Sequence, residues 1–150
     1  MRFQREEWSA TLPELRPLFA RLWDDVAIDK ERFTAECDEE KYAKLDEQKI
    51  LHLVTAREEA KLAGFFLCFV WPNAHYLGAG EMAFTDMYYV LPQYRRGNVG
   101  IRLFAFMEAT LRERGVVKFY TSHKKHRDRS AMMKILGFKA TDIVYSKVLG

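Results

Sequence analysis

One segment restricts the fold more than any other, because a strand-like run stops at a proline and a helix follows almost at once. The run Phe84–Val90 is rich in aromatic and β-branched residues, as strands are. Pro92 has no N–H and a fixed φ, so the strand must end before it. Helical spacing then begins at Ile101 and continues through Leu103, Phe104, Met107 and Leu111. The sequence therefore predicts a strand, a turn and a helix in direct succession.

The N-terminal half carries two helical and two strand-like patterns. An apolar stripe from Leu15 to Val26 has helical period, and Pro13 and Pro17 each suit the first turn of that helix. We expect a second, more polar helix within Phe33–Glu47. Two apolar runs separated by a charged segment predict an antiparallel pair of strands, Ile50–Ala56 and Gly64–Val70.

The C-terminal third continues the alternation. Gly115 lies where the central helix would end, and Val116–Ser122 is the next strand-like run. A short helix over Ser130–Leu136 and a closing strand over Ile143–Leu149 are expected after it. The order of elements predicts a mixed α/β fold.

Length and composition limit the class of protein. A chain of 150 residues suits one domain, 1–150, and 49% hydrophobic residues are enough for a core. The net charge of +3 is too small to indicate a general nucleic-acid or membrane binder. No apolar run approaches a membrane span, and the start lacks a signal-peptide pattern, so we expect a cytoplasmic protein. Cys37 and Cys68 are too few and too far apart to indicate a metal cluster.

The turn before the central helix has the properties of an anion site. Free N–H groups and the positive end of a helix converge there. Gly97 and Gly100 in the sequence RRGNVG permit close approach of the backbone, and Asn98 tolerates a left-handed conformation. Arg95 and Arg96 add positive charge. An ordinary tight turn with solvent-facing arginines is the alternative.

Two motifs carry a resemblance to a known family. The stretch MYYVLPQYRRGNVGIRLF from Met87 resembles the acetyl-CoA motif of the GNAT superfamily of N-acetyltransferases, with Arg95 and Gly100 at its Arg/Gln and final Gly positions. LGF at Leu136–Phe138 is similar to the family's closing motif. The resemblance covers about Phe84 to Leu149. It implies a GNAT fold with a mixed sheet of about six to seven strands and about four helices, and acetyl transfer from acetyl-CoA to a primary amine.

The resemblance also implies a cofactor site without a metal. Acetyl-CoA would place its pyrophosphate on the N–H groups of Arg95–Ile101 and its pantetheine arm between the strands ending at Val90 and Ser122. In this family a strand bulge exposes an N–H to the thioester oxygen, which Tyr88 or Tyr89 would supply. The residues assigned to cofactor binding are Tyr88, Tyr89, Val90, Arg95, Arg96, Gly97, Asn98, Val99, Gly100 and Ile101. Asn98 stands where the family has its first motif glycine.

Acid–base groups are fewer. An amine acceptor is mostly protonated at neutral pH, so a carboxylate or His beside it would raise the reactive fraction. Asp86 occupies a strand position where family members carry a base, although a strand-end hydrogen bond is an equal alternative. His75 and Glu81 precede that strand and are candidates for acceptor binding.

The proton for the departing thiolate has no obvious source. Many family members carry a tyrosine acid four residues before the glycine of LGF, where this chain has Met133. Tyr120, Ser122 or His123 could substitute, and we assign His123 to catalysis beside Asp86.

Two other functions compete with acetyl transfer. The run HKKHRDR, His123–Arg129, suits a nucleic-acid-binding module, although a solvated loop or contact with the CoA 3′-phosphate explains it better. The departures at Asn98 and Met133 suit a catalytically idle acyl-CoA-binding regulatory module. The acceptor, a small molecule or peptide amine, is set by segments that match nothing specific. A homodimer is possible.

Overall fold

The computed structural model describes all residues from Met1 to Gly150 and contains five strands and four helices. Two short 3-10 turns, Pro92–Tyr94 and Lys125–Arg127, connect some of them. In chain order the elements are β1 (Arg2–Glu6), α1 (Trp8–Val26), α2 (Glu39–Glu47), β2 (Leu51–Glu58), β3 (Lys61–Pro72), β4 (Glu81–Val90), α3 (Val99–Arg114), β5 (Val116–Tyr120) and α4 (Ser130–Ile135).

The strands form one sheet in the order β1-β2-β3-β4-β5. Neighbours from β1 to β4 are antiparallel, and only β4 and β5 are parallel. The parallel pair is joined by α3, as a parallel connection requires a crossover. The strand, turn and helix predicted from Phe84 onward are confirmed, and α3 ends at Gly115 in the left-handed conformation.

Both faces of the sheet are covered. Successive residues of the central strand β3 point to opposite faces, and the residues on each face are apolar. In β3, Phe66, Cys68 and Val70 belong to the core that packs under α3. Phe65 and Leu67 belong to the core that packs under α1. Cys68 is fully buried, as a core cysteine, and burial raises its pKa well above the usual value. The sequence of β3 is a continuous apolar run because the strand is buried on both faces.

Helix α1 begins earlier than expected. Its first residue is Trp8, so both Pro13 and Pro17 lie inside the helix. Each proline removes one backbone hydrogen bond. The buried stripe that includes Leu15 and Phe19 still packs on the sheet, and the Phe19 ring contacts Phe65 edge-on at 5.6 Å. Tertiary burial therefore outweighs the local penalty of the two prolines.

The sheet has five strands and not six or seven. The strand β1, which is short and polar at the edge, was not predicted because its sequence lacks a strand pattern. The closing strand expected at Ile143–Leu149 does not form. Residues 139–150 form no backbone hydrogen bond, and Tyr145 is 87% exposed. A strand-like sequence forms a strand only where a neighbouring strand hydrogen-bonds to its backbone, and this segment does not pair with β5. The predicted homodimer stays a prediction.

Buried charges attach β1 and α1 to the sheet. The Arg57 guanidinium of β2 donates to Glu6 of β1 at 2.7 and 2.9 Å and to Glu14 of α1 at 2.8 and 2.9 Å. Burial raises the pKa of Glu6, but the hydrogen bonds from Arg57, Thr55 and Gln4 outweigh it and hold the pKa near 2. None of the helices is both long enough and apolar enough to cross a membrane.

His52 is a second buried ionisable group, under α3. Its Nε2 lies 2.8 Å from the Thr110 hydroxyl, which donates to the Met107 carbonyl, so Nε2 must carry the proton. Nδ1 has no partner. Burial lowers the pKa of His52 to about 4, because a charged ring would lose its hydration there.

His52 should make stability depend on pH. Below pH 6.5 the unfolded chain protonates this histidine while the folded chain does not, so stability falls between about pH 6.5 and 4. Once the pH is below about 4, the free energy of unfolding should have fallen by about 3 kcal/mol from this histidine alone. Urea unfolding at several pH values should show this slope in the wild type and in the exposed control His126→Gln. Above about pH 5.5, where Glu6 is ionised in both the folded and the unfolded chain, the slope should be largely absent in His52→Leu. A slope unchanged there in that variant would contradict the assignment.

Candidate active site

The parallel strands β4 and β5 separate part-way along their length. Their register runs from Glu81 opposite Val116 to Phe84 opposite Tyr120 and stops there. The Thr85 hydroxyl donates to the Thr121 hydroxyl at 3.0 Å just past the last pair. From Met87 to Val90, β4 pairs with β3 alone, and Asp86 pairs with neither strand. One edge of β4 is therefore left without a strand partner, with its backbone groups available to a ligand.

A bulge lies where the strands separate. Leu67 of β3 pairs with Met87, while the next residue, Cys68, pairs with Thr85. Asp86 is thus the extra residue of β4, and a bulge of this kind redirects a side chain. The family geometry led us to expect the exposed N–H at Tyr88 or Tyr89. The irregularity is instead at Asp86, so the amides nearest to it are those of Asp86 and Met87.

The redirected side chain points toward α2. The Tyr42 hydroxyl donates to Asp86 Oδ2 at 2.5 Å, and the Tyr42 ring stacks on Trp8 of α1 at 4.8 Å. Burial raises the pKa of Asp86 above its usual value, and the hydrogen bond from Tyr42 offsets part of that rise. The carboxylate is therefore more basic than an exposed aspartate. Tyr42 is a residue that the sequence analysis missed, because α2 carries no motif.

Cys37 lies near this carboxylate. Burial, with the negative charge of Asp86, raises the pKa of its thiol to about 11. A thiol with so high a pKa carries almost no thiolate at neutral pH and is unsuited to nucleophilic catalysis.

The turn before α3 forms as expected, but the residue with positive φ is Gly97 and not Asn98. Gly97 has φ of 102°, in the left-handed region, while Asn98 has φ of −110°, which any residue adopts. The asparagine therefore fits where the family has a glycine. No side chain caps α3, so the N–H groups of its first residues, Val99, Gly100 and Ile101, are free.

A cavity of about 390 Å³ connects this helix end with the open edge of β4. Seven of the ten predicted cofactor residues line it: Tyr88, Tyr89, Val90, Arg95, Gly97, Gly100 and Ile101. Arg96, Asn98 and Val99 do not. The wall is close-packed at Gly100, where a Cβ atom would lie 2.6 Å from the Tyr88 hydroxyl oxygen. The other walls come from α1, α4 and the segment before α4.

Arg95 is held by protein groups. Its Nε donates to the Val90 carbonyl at 2.8 Å, and its guanidinium contacts Asp25 of α1 at 2.6 Å and lies over the Tyr89 ring at 5.0 Å. Asp25 also pairs with Arg127 at 3.2 Å. The sequence analysis expected Arg95 to add positive charge at the anion site, and it did not anticipate Asp25. In this structure Arg95 and Arg127 share the single negative charge of Asp25.

Arg129 is the cation that lacks an anionic partner. Its guanidinium lies over the Tyr88 ring at 4.5 Å, half-buried in the cavity wall, without an ion pair or a side-chain hydrogen bond to the protein. Burial lowers its pKa, with neighbouring Arg95 and Arg127 adding to the effect. A half-buried, unpaired guanidinium suits an anionic ligand. The basic run His123–Arg129 was the only signal for this residue in the sequence.

Three other predicted site residues lie away from Asp86. Glu81, a candidate for acceptor binding, points to the α3 face of the sheet and pairs with Arg114 at 3.1 Å. His75 is in the exposed loop between β3 and β4, where its backbone N–H is bonded to Asn73 Oδ1. His123 follows β5, and its Nε2 lies 3.6 Å from Asp128 Oδ1. Neither histidine contacts Asp86.

Comparison with known proteins agrees with this geometry. The model of the Acetyltransferase (GNAT) family matches residues 12–138. The chain belongs to the GNAT acetyltransferase family. Enzymes of this family use acetyl-CoA as the acyl donor, and a search of curated proteins finds no significant match to this GNAT domain.

Solved structures share the fold at low sequence identity. An aminoglycoside acetyltransferase from an uncultured soil metagenomic sample, solved with sisomicin, has a TM-score of 0.75 at 16% identity over 99% of this chain and 96% of its own. Glucosamine-6-phosphate N-acetyltransferase from Arabidopsis thaliana has 0.74 at 14% identity over 99% and 98%. A predicted acetyltransferase from Clostridium acetobutylicum, solved with acetyl-CoA, has 0.72 at 14% over 98% and 95%.

These likenesses support the GNAT fold and no particular acceptor. In this GNAT domain no group of three or more His, Cys, Asp and Glu side chains is placed to hold a metal ion.

The hydrogen bond from Tyr42 should set the titration of Asp86. Tyr42→Phe removes the only side-chain donor that stabilises the carboxylate, so the pKa of Asp86 should rise further. Carboxyl-carbon NMR titration of the wild type and the variant measures this directly. Tyr94→Phe, which removes an exposed hydroxyl bonded to Glu58, serves as the control. An unchanged Asp86 pKa in Tyr42→Phe would show that the hydrogen bond does not act in solution.

Proposed function

We propose that this GNAT domain transfers an acetyl group from acetyl-CoA directly to a primary amine, with Asp86 as general base. The observation that carries the proposal is the coincidence of three features at one point. The β4 bulge, the separation of β4 from β5 and the buried carboxylate of Asp86 all occur between Thr85 and Met87. A reactive group held in the opening would therefore lie next to a basic oxygen.

The residues present fit the acyl donor. The uncapped end of α3 and the unpaired Arg129 supply donors for the phosphates, and the free edge of β4 supplies backbone groups for the pantetheine amides. Gly100 allows Tyr88 to close one wall tightly. When bound there, acetyl-CoA supplies an activated thioester.

Asp86 would remove a proton from the acceptor ammonium, either directly or through a water, and release it to solvent. The freed amine nitrogen then forms a bond with the acetyl carbon, and the bond from that carbon to sulfur breaks. The sulfur leaves with the electron pair and receives the second proton that the nitrogen loses. Backbone N–H groups of Asp86 and Met87, beside the bulge, would stabilise negative charge on the carbonyl oxygen.

Tyr120 suits the return of the second proton better than His123. Tyr120 lies in the last pair of the β4–β5 ladder, at the start of the opening. His123 is three residues further along and held near Asp128. Met133 packs against the apolar core and offers no proton. A thiolate also leaves readily without an acid, because its conjugate thiol has a pKa of about 8.5.

A catalytically idle acyl-CoA-binding module is the second candidate, and the buried Asp86–Tyr42 pair counts against it. A module that only binds has no need of a basic carboxylate at the opening. Independent nucleic-acid binding is weakly supported, because Arg127 pairs with Asp25 and His123 lies near Asp128. The cytoplasmic location stays a prediction.

Asp86→Asn tests the proposed chemistry. The variant keeps the shape of the side chain but loses the base, so acetyl transfer should fall by about 10²- to 10⁴-fold while acetyl-CoA affinity changes little. CoA release across a panel of amines measures the rate, and calorimetry measures the affinity. The wild-type rate should fall as pH drops through the raised pKa of Asp86.

Asp38→Asn is a matched control, because it removes an exposed carboxylate that caps α2. It should leave the rate within about twofold, as surface changes usually do. Equal rates for Asp86→Asn and wild type between pH 6 and 9 would remove Asp86 from the reaction. Acetyl-CoA binding with no CoA release for any amine would favour the idle module.

A further inference from the structure

Four aromatic rings stand in a row on the sheet beside Asp86. The contacts join Phe69 to Trp71 at 6.1 Å, Trp71 to Phe84 at 4.8 Å and Phe84 to Tyr120 at 4.7 Å, with interplanar angles of 29°, 15° and 3°. The row crosses β3, β4 and β5, on the face toward which α1 and α2 pack. We call these four residues the aromatic row.

Helix α2 covers only one end of the aromatic row, where Tyr42 contacts Phe69. Helices α1 and α2 cover the other half of this face, where Phe65 and Leu67 are fully buried. Trp71 is 40% exposed, and the other three rings are half-buried. Four adjacent aromatic side chains that face solvent together are unusual in a soluble domain and indicate a binding surface.

The aromatic row leads to the reacting position. Tyr42, which holds Asp86, contacts Phe69 at 6.1 Å, and Phe84 precedes Asp86 by two residues in β4. Tyr120 stands in the last pair of the β4–β5 ladder, where the opening for the acyl donor begins. An acceptor whose amine reaches Asp86 from this face must therefore lie along the row.

Charges around the aromatic row restrict the acceptor further. Lys118 is a cation beside the Tyr120 end of the row, 4.7 Å from the Tyr120 ring centre. Glu81 is on the opposite face, and the acidic residues at the start of α2 are paired with Lys41, Arg16 and Lys44. Asp86 accepts a hydrogen bond from Tyr42 at the Phe69 end of the row and has no ion-pair partner in the protein. An amino sugar would leave its hydroxyls against apolar rings, and a polycation would place its further charges over the same rings.

We infer that the acceptor is a primary amine on a flat, apolar body, of the arylalkylamine class, with its ring on the aromatic row and its nitrogen at Asp86. This inference rests on the proposed function. Ring edges and faces in such a row offer edge-to-face and offset contacts to another aromatic ring.

Steady-state CoA release with matched amines tests the inference. 2-Phenylethylamine and tryptamine should give kcat/KM at least about tenfold above those of butylamine, putrescine and glucosamine. Trp71→Ala should raise KM for 2-phenylethylamine about fivefold to tenfold, with kcat and the KM for acetyl-CoA unchanged. Its effect on butylamine should stay within about twofold. Phe33→Ala, which removes an aromatic ring that is 54% exposed in a loop, should change none of these values.

A binding measurement separates this inference from the proposed chemistry. Saturation-transfer NMR should detect 2-phenylethylamine ring protons on the wild type without acetyl-CoA, and the signal should be lost in Trp71→Ala. Turnover of putrescine or glucosamine in preference to arylalkylamines would overturn the inference and leave the proposed function intact. No turnover of any amine, with the NMR signal still dependent on Trp71, would overturn the chemistry and support the binding surface. Absence of that signal would overturn the surface.

Discussion

The site depends on an irregularity in β4. The strand carries one extra residue, Asp86, in its pairing with β3, and its pairing with β5 ends two residues earlier, at Phe84. Because Asp86 is extra in the register with β3, its side chain turns toward α2 and meets Tyr42. Because pairing with β5 stops at Phe84, the rest of β4 keeps one free edge. One local irregularity thus creates both a place for a ligand backbone and a basic group beside it. The remaining elements hold that strand in place, with β3 on one side and buried cores on both faces.

Charge is arranged around the opening in two ways. Arg95 and Arg127 share Asp25, so one of their two positive charges is offset within the protein. Arg129 lies over Tyr88 without any ion-pair partner, in the cavity wall next to the uncapped end of α3. This difference identifies Arg129 as the side chain that gains most from a bound phosphate. Asp86, by contrast, has no ion-pair partner and accepts a hydrogen bond from Tyr42, which suits a base whose pKa is raised by burial.

Sequence patterns predicted the central part of the fold well, because the strand before Pro92 and the stripe of α3 are set by local chemistry. They failed where pairing with another strand determines whether a strand forms. The polar segment β1 is a strand because it pairs with the edge of β2, whereas the apolar segment Ile143–Leu149 has no partner strand. The motif located seven residues that line the cavity, but Asp25 and Tyr42 were missed, and Arg129 was indicated only as part of the basic run His123–Arg129. These three residues come from segments distant in the chain, and no local spacing shows that they converge. Asn98 was interpreted as a departure from the family motif, but the sequence does not show that its backbone conformation is one that any residue adopts.

Amide hydrogen exchange tests the central claim most directly, namely that the acyl donor binds along the free edge of β4. In Asp86–Val90, the amides that do not bond to β3 should exchange readily in the free protein. Saturating acetyl-CoA should slow their exchange by at least about tenfold, because each new hydrogen bond must open before exchange occurs. Amides in α1 that are remote from the opening should keep their rates. Unchanged exchange along Asp86–Val90 in the presence of bound acetyl-CoA would contradict the account.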